Sequence, residues 1–165
     1  MPAGPVVLNN TPLVALAGLG RLDLFESLFG EVAIPPAVRA EFLAIETERR
    51  QAQLSESPWI RCVPLQAPSR ALSFGGLDTG EAEVLALAEE LDARLVVIDE
   101  RKARRYAERM GLPLTGTLGI LLLAKRNGLL SAIGPTLQAL EGAGLHVSSD
   151  LVRYALVLAG ERIDP

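Results

Sequence analysis

Short apolar runs that end in polar residues alternate with helical segments along this chain, and this alternation limits the folds open to it. The clearest run covers residues 94–98, is rich in β-branched side chains and ends in Asp99. A second run, residues 5–9, ends in Asn9. Strands that alternate with helices predict an α/β domain with a mainly parallel central sheet.

Turn and capping residues give approximate bounds for the other elements. Thr11 and Pro12 suit the N-cap and the first position of a helix. Predicted strands also cover residues 31–34, 59–65 and 112–115, and predicted helices cover residues 22–29, 35–53, 79–91, 101–110, 116–126, 135–140 and 150–158. No repeat or linker divides the chain, so one domain is predicted across residues 1–165, with a C-terminal helical segment at about 134–165.

The composition excludes several kinds of site. The 165 residues include one cysteine and one histidine, which rules out an internal disulfide and a metal site built from several cysteines or histidines. A net charge of −4 argues against a surface that is basic throughout, but it allows a local basic patch. No apolar run reaches the roughly 18 residues of a membrane span, and residues 1–5 lack the basic start of a signal peptide. We therefore expect a cytoplasmic protein with no membrane contact.

Carboxylates are the plentiful chemical groups that remain, and as hard oxygen ligands they suit Mg²⁺ or Mn²⁺. In an open parallel sheet, ligands bind beyond the carboxyl ends of the strands. Asn9 and Asp99 end two strands, while Glu41 and Glu81 lie near the starts of two predicted helices. Because carboxylates crowded together are costly unless a cation neutralises them, a divalent metal is suspected at this edge.

Each of these side chains also has an ordinary structural interpretation. Asp78 and Glu81 have the spacing of a capping box, with Asp78 as N-cap. Glu41 alone suits a solvated helix face, Asp99 could cap the helix that follows it, and Asn9 could satisfy backbone groups in a turn. The combination of positions therefore carries the functional interpretation.

Several segments resemble, in order, the motifs of PIN-domain proteins, including the VapC-type toxin ribonucleases. The first motif is a strand that delivers an acidic residue before a Ser/Thr and an apolar helix, and the second is a helix with an inward Glu. The third and fourth place an acidic residue at a helix start and at a strand end, and the last is a strand with a Gly/Thr turn. The similar segments are residues 6–14, 34–42, 77–84, 96–101 and 114–121. The tail, residues 149–161, resembles an uncharacterised PIN-like subgroup.

The resemblance implies a three-layer α/β/α sandwich and a Mg²⁺- or Mn²⁺-dependent endoribonuclease site that hydrolyses RNA phosphodiesters. In such a site the metal orients and activates water and stabilises charge on the phosphate. Carried over by position, the metal ligands are Asn9, Glu41, Glu81 and Asp99, and the last three are also the catalytic residues. Asp78 and Glu83 are possible substitute ligands, and Thr11, Thr115 and Thr117 could support the site by hydrogen bonds.

Asn9 departs from the family pattern, which usually has Asp at this position. An amide oxygen can ligate a metal but brings no negative charge, so metal affinity and cleavage should fall. Two functions therefore stay open: an active ribonuclease, and a catalytically impaired module that binds RNA or a protein. A protein that binds another small phosphorylated ligand is a third, weaker alternative.

A basic segment directly follows Asp99. Its cations could neutralise RNA phosphates beside the metal pocket, or they could form a solvated helix face paired with Glu100 and Glu108. Aromatic residues make up only 4% of the chain, so base stacking is not an evident binding mode. The candidate RNA-binding residues are Arg101, Lys102, Arg104 and Arg105.

The PIN resemblance also suggests partners. VapC-type toxins imply a role as one component of a toxin–antitoxin pair, with an antitoxin protein as partner. Such proteins commonly dimerise, and the apolar segments 118–123 and 151–158 offer surface for association. We therefore expect a homodimer.

Overall fold

A parallel five-stranded sheet forms the centre of the molecule in a computed structural model that describes residues 3–162. The order across the sheet is β3-β2-β1-β4-β5, and each neighbouring pair is parallel. The strands are β1 (Gly4–Leu8), β2 (Val32–Ile34), β3 (Ile60–Cys62), β4 (Ala93–Val97) and β5 (Leu114–Thr115). Helices flank this sheet, which confirms the predicted α/β sandwich. Residues 1–2 and 163–165 of the predicted single domain lie outside the described residues.

The helices of residues 3–162 follow the strands in the predicted alternation. They are α1 (Asn10–Gly18), α2 (Asp23–Phe29), α3 (Pro36–Leu43), α4 (Thr47–Ser55), α5 (Thr79–Glu90), α6 (Arg101–Arg109), α7 (Thr117–Arg126), α8 (Gly134–Gly142) and α9 (Ser149–Leu158). A 3₁₀ helix covers Pro68–Ser73. Over residues 3–162, none of these helices combines the length and the apolar character needed to cross a membrane.

The two central strands bring the predicted site positions to one edge of the sheet. Val6, Val7 and Leu8 of β1 are fully buried, as expected for a parallel strand covered by helices on both faces. In the register of β1 against β4, Leu8 lies opposite Val97. The residues that follow the two strands, Asn9 and Asp99, therefore leave the sheet at its carboxyl edge.

Two predicted helix bounds are wrong. The segment 35–53 is not one helix, because the chain breaks between α3 and α4, where Glu46 has a left-handed backbone with φ of 50°. The first helix starts before Thr11: Asn9, with extended backbone, holds the N-cap position and Thr11 lies in the first turn. Residues 44–53 contain no Gly or Pro, so nothing in the sequence marks where the first helix ends.

The half-buried carboxylate of Glu161 holds the C-terminal helices together. Glu161 accepts hydrogen bonds from the backbone N–H groups of Ile133 and Gly134, at 2.7 and 3.0 Å, and so satisfies the start of α8. Lys125 of α7 donates to the Glu161 carboxylate at 2.9 Å and to the Ala159 carbonyl at 2.6 Å. One carboxylate thus ties α7, α8 and the end of α9 together.

Candidate functional site

Asn9 ends β1 at the centre of the carboxyl edge. Asn9 is only 5% exposed, and its backbone N–H donates a hydrogen bond to the Val97 carbonyl at 3.0 Å. The extended backbone of Asn9, with ψ of 173°, turns the chain from strand into α1. The first motif of the sequence is therefore placed where a parallel sheet binds ligands.

Asp99 follows β4, and α7 fixes its carboxylate. Oδ1 accepts the backbone N–H of Thr117 at 2.9 Å, and Oδ2 accepts the Thr117 hydroxyl at 2.6 Å. Asp99 therefore satisfies the start of α7, whereas Glu100 caps the following helix α6 by accepting the N–H of Lys102 at 3.0 Å. The alternative that Asp99 caps the helix directly after it is wrong.

A glycine allows this contact. A Cβ on Gly116 would lie 2.5 Å from Oδ1 of Asp99 and 3.1 Å from a guanidinium nitrogen of Arg104. Gly119, one turn further on, likewise leaves no room for a Cβ beside the Thr115 hydroxyl. The Gly/Thr turn of the last motif thus packs tightly around Asp99.

Asp78 and Glu81 form the predicted capping box at the start of α5. Asp78 accepts the N–H of Glu81 at 2.8 Å, and Glu81 accepts the N–H of Asp78 at 3.2 Å. Both carboxylates are therefore engaged with the helix start. The capping interpretation of these residues is confirmed, whatever further role they have.

Glu41 of α3 lies beside this capping box. Gly80 lies between the carboxylates of Glu41 and Asp78. A Cβ on Gly80 would be 3.3 Å from Oε2 of Glu41 and 3.5 Å from Oδ1 of Asp78. Burial, and then the negative charge of Asp78, raise the pKa of Glu41. Carboxylates from α3 and α5 are thus brought together around Asp78.

The neighbouring carboxylates also affect the pKa of Glu81. Burial raises its pKa first, the hydrogen bond from the Asp78 N–H lowers it, and the charges of Asp78 and Glu100 raise it again, to about 7. Glu81 therefore holds its proton to a higher pH than an ordinary glutamate does. Glu83, named as a substitute ligand, instead accepts the N–H of Ala37 at 3.2 Å and satisfies the start of α3.

The predicted supporting threonines differ in what they do. Thr117 is buried and holds Asp99. Within residues 3–162, the hydroxyls of Thr11 and Thr115 form no hydrogen bond with Asn9 or with a predicted site carboxylate. Support by Thr11 and Thr115 therefore stays a prediction.

The donor set suits a hard cation by its chemistry, but its arrangement does not form a ready site. Across residues 3–162, no three His, Cys, Asp or Glu side chains are grouped so that they could hold a metal ion. Asp99 is turned to Thr117, and Asp78 and Glu81 are turned to each other. The side chains as placed thus form no complete metal site, and the ligand roles of Asn9, Glu41, Glu81 and Asp99 remain predictions.

The basic residues of α6 are exposed or half-buried beside Asp99. Among residues 3–162, Arg101, Lys102, Arg104 and Arg105 form no ion pair within 4 Å, so pairing with Glu100 or Glu108 does not neutralise them. Arg104 donates to the Ile98 carbonyl at 2.9 Å and is thereby fixed at the end of β4.

A cavity of about 580 Å³ opens between α6, α7 and α9 next to Asp99. Its polar wall includes Asp99, Arg101, Arg104 and Arg105, and its apolar wall includes Tyr154. Sequence reasoning did not select Tyr154, because α9 lies far along the chain from Asp99. The only available signal was a single aromatic side chain among the aliphatic and polar residues of α9.

A parallel α/β sheet with acidic groups and a basic helix at its carboxyl edge defines the class of this protein. A family model described as a PIN domain matches residues 5–161, nearly the whole chain, so the chain belongs to the PIN-domain family. The predicted resemblance is thereby confirmed. PIN domains are a nuclease fold and generally use divalent metals. No curated protein matches the chain at a significant level.

Proposed function

We propose that this PIN domain binds single-stranded RNA through α6 and, in its natural form, cuts RNA slowly or not at all. The observation that carries this proposal is the group of α6 cations, left without ion pairs among residues 3–162, beside Asp99 at the carboxyl edge of the sheet. Arginine and lysine neutralise phosphates, and this supplies most of the affinity for nucleic acid.

Two features support weak cleavage. Asn9 stands where the family usually has Asp, which removes one formal negative charge from the predicted metal set. The second feature is that two hydrogen bonds from Thr117 fix the orientation of Asp99, so a metal can reach Asp99 only in that orientation. Hard divalent cations depend strongly on ligand charge, so the missing charge at Asn9 lowers metal affinity.

Binding is tested by fluorescence anisotropy with a labelled single-stranded RNA in EDTA, so that cleavage cannot interfere. We expect affinity to fall as salt rises, through counterion release. Replacing Arg101, Lys102 and Arg105 by Ala should weaken binding and flatten the salt slope. Arg104 is kept, because its bond to Ile98 is structural.

A matched triple variant distinguishes a site from general charge. Changing Arg39, Arg49 and Arg126 to Ala removes the same positive charge from exposed positions outside α6. We expect this control to bind RNA nearly as the natural protein does. If both triple variants lose the same RNA affinity, α6 is an ordinary solvated helix face and the proposal is overturned.

A Mg²⁺- or Mn²⁺-dependent endoribonuclease is the second candidate. The crowding of Glu41 and Glu81 around Asp78 favours it, since a cation would relieve the repulsion that raises their pKa values. If Mn²⁺ binds the whole predicted set of Glu41, Glu81 and Asp99, it raises the melting temperature by mass action, and Asp99→Asn removes that increase. An increase that persists in Asp99→Asn would place the cation elsewhere.

The finer predictions of location and partners remain proposals. They are a cytoplasmic location, a toxin–antitoxin role with an antitoxin partner, and a homodimer. Segment 118–123 is buried or half-buried within the chain, so α9 offers the free apolar surface, with Leu151, Val157 and Leu158 about half exposed or more. Light scattering at micromolar concentration tests the dimer, and a monomer would contradict it.

A further inference from the structure

We propose that the cavity between α6, α7 and α9 holds one unpaired nucleotide of the RNA, with the base against Tyr154 and the phosphate on the arginines of α6. This inference rests on the proposed RNA binding and adds a base-recognition site to it. It also assigns a function to α9, a helix that carries none of the predicted site residues.

Tyr154 is the main observation. Of the aromatic side chains in the chain, all of which lie within residues 3–162, only Tyr154 is exposed, with 61% of its surface accessible. A ring that is neither packed in the core nor covered by its own chain is available to a ligand. Base stacking on such rings is how proteins commonly bind unpaired nucleotides.

The second observation is the position of this ring relative to charge. Tyr154 shares the cavity with Arg101, Arg104 and Arg105, and these outnumber the acidic lining residues Asp99 and Glu108. The fork of donors on a guanidinium matches the oxygens of a phosphate. Cations and an aromatic ring in one cavity are the two complements that a nucleotide requires.

The size and the lining of the cavity are consistent with one nucleotide. A volume of about 580 Å³ lies within the range of small-ligand sites. Leucines of α7 and α9, including Leu118, Leu122 and Leu158, make the wall around Tyr154 apolar. A base would therefore be removed from water on one side, while its phosphate faces the arginines.

An apolar polypeptide is the competing occupant of this cavity. Leucines alone would favour it, but the cations that line the same cavity form no ion pair among residues 3–162, which favours a polyanion. The two occupants differ in what they require of Tyr154. A base requires an aromatic ring, whereas an apolar polypeptide accepts a leucine in its place.

The test compares Tyr154→Leu and Tyr154→Phe for binding of two short RNAs in EDTA, one complete and one with abasic positions. We expect Tyr154→Leu to bind the complete RNA about ten-fold more weakly, by loss of stacking, and Tyr154→Phe to bind it normally. On the abasic RNA the two variants should be equal. Val157→Ala is the matched control, because Val157 is equally exposed on α9 but does not line the cavity.

The outcomes separate this inference from RNA binding itself. If Tyr154→Leu binds the complete RNA as tightly as the natural protein, or loses affinity equally for abasic RNA, the base site is overturned while α6 binding stands. Unchanged binding in Tyr154→Leu would also direct the search toward a polypeptide. If the natural protein binds neither RNA, both proposals fail.

Discussion

Thr117 donates two hydrogen bonds to Asp99, one from its backbone N–H to Oδ1 at 2.9 Å and one from its hydroxyl to Oδ2 at 2.6 Å. A side chain that the sequence predicts as a metal ligand therefore also anchors the start of α7. The orientation of Asp99 depends on α7, and any ligand of Asp99 must accept that orientation or displace Thr117.

Gly116→Ala should disturb this anchor. The backbone of Gly116 has φ of −120°, which any residue can adopt, so the cost comes from the new Cβ meeting Oδ1 of Asp99 at 2.5 Å. We expect a loss of about 1–3 kcal/mol in the free energy of unfolding, as for overpacking elsewhere. Urea denaturation measures this loss.

Gly142→Ala is the control for Gly116→Ala. Gly142 ends α8, and a Cβ there would meet nothing within 4 Å. Alanine is the better helix former, so we expect stability to be unchanged or slightly raised. If Gly116→Ala is as stable as this control, Asp99 is not confined as the distances indicate.

The alternation of strands and helices and the capping box of α5 could be predicted because they depend on residues close in sequence. The run that ends in Asp99 became β4, and the spacing of Asp78 and Glu81 gave the capping box. The polar residues that end two predicted strands, Asn9 and Asp99, likewise indicated the carboxyl edge of the sheet as the candidate site.

Side-chain partners across the fold could not be predicted in the same way. Whether Asp99 faces Thr117 or the carboxylates around Asp78 is decided by the packing of α7, which lies many residues along the chain. The low aromatic content argued against base stacking, but the one exposed ring, Tyr154, stands in the cavity beside Asp99. The composition shows how many aromatic rings the chain has, but it does not show which of them is exposed.

Glu81→Gln should change how stability depends on pH. The folded pKa of about 7 lies above the ordinary value of 4.5, so the folded state holds the extra proton between these values. The natural protein therefore loses stability as pH rises from 4.5 to about 7. Glutamine keeps the capping box but cannot ionise, so we expect the variant to melt about 2–4 °C higher at pH 8.

Thermal melts at pH 5 and pH 8 test this prediction. The two proteins should differ little at pH 5, where Glu81 of the natural protein is protonated. Glu26→Gln, at an exposed carboxyl on α2, should not reproduce the gain. A natural protein that melts higher at pH 8 than Glu81→Gln would show that the charged form of Glu81 stabilises the fold.

Glu161→Gln should weaken the C-terminal helices at neutral pH. Burial raises the pKa of Glu161, but hydrogen bonds from Ile133, Gly134 and Lys125 together bring it below its ordinary value of 4.5. The stabilisation is thus complete above pH 4.5 and is lost as pH falls further. Removing the charged acceptor should cost about 1–3 kcal/mol at pH 7.

Hydrogen exchange locates the effect of Glu161→Gln. The amides of Ile133 and Gly134, which donate to this carboxylate, should exchange faster in the variant at pH 7. Glu141→Gln changes an exposed carboxyl on α8 and should leave both amides protected. Equal protection in the two variants would contradict a role for Glu161 in holding α8.

Asn9→Asp tests why the natural site should cut poorly. The substitution is nearly isosteric and adds a carboxylate at a residue only 5% exposed, so without metal we expect a lower melting temperature. A divalent cation that neutralises the new charge should reverse the loss. We therefore predict tighter Mn²⁺ binding by calorimetry in Asn9→Asp than in the natural protein.

Cleavage of a mixed RNA pool with Mn²⁺ completes the test of Asn9. The added charge should raise the fraction of the protein that holds a metal, so Asn9→Asp should gain cleavage over the natural protein. Asp99→Asn in both backgrounds controls for a contaminating ribonuclease, because it should abolish any genuine gain. If Asn9→Asp binds Mn²⁺ no more tightly and cuts no better, Asn9 does not hold the metal position, and the match of residues 6–14 to the first PIN motif does not extend to its acidic residue.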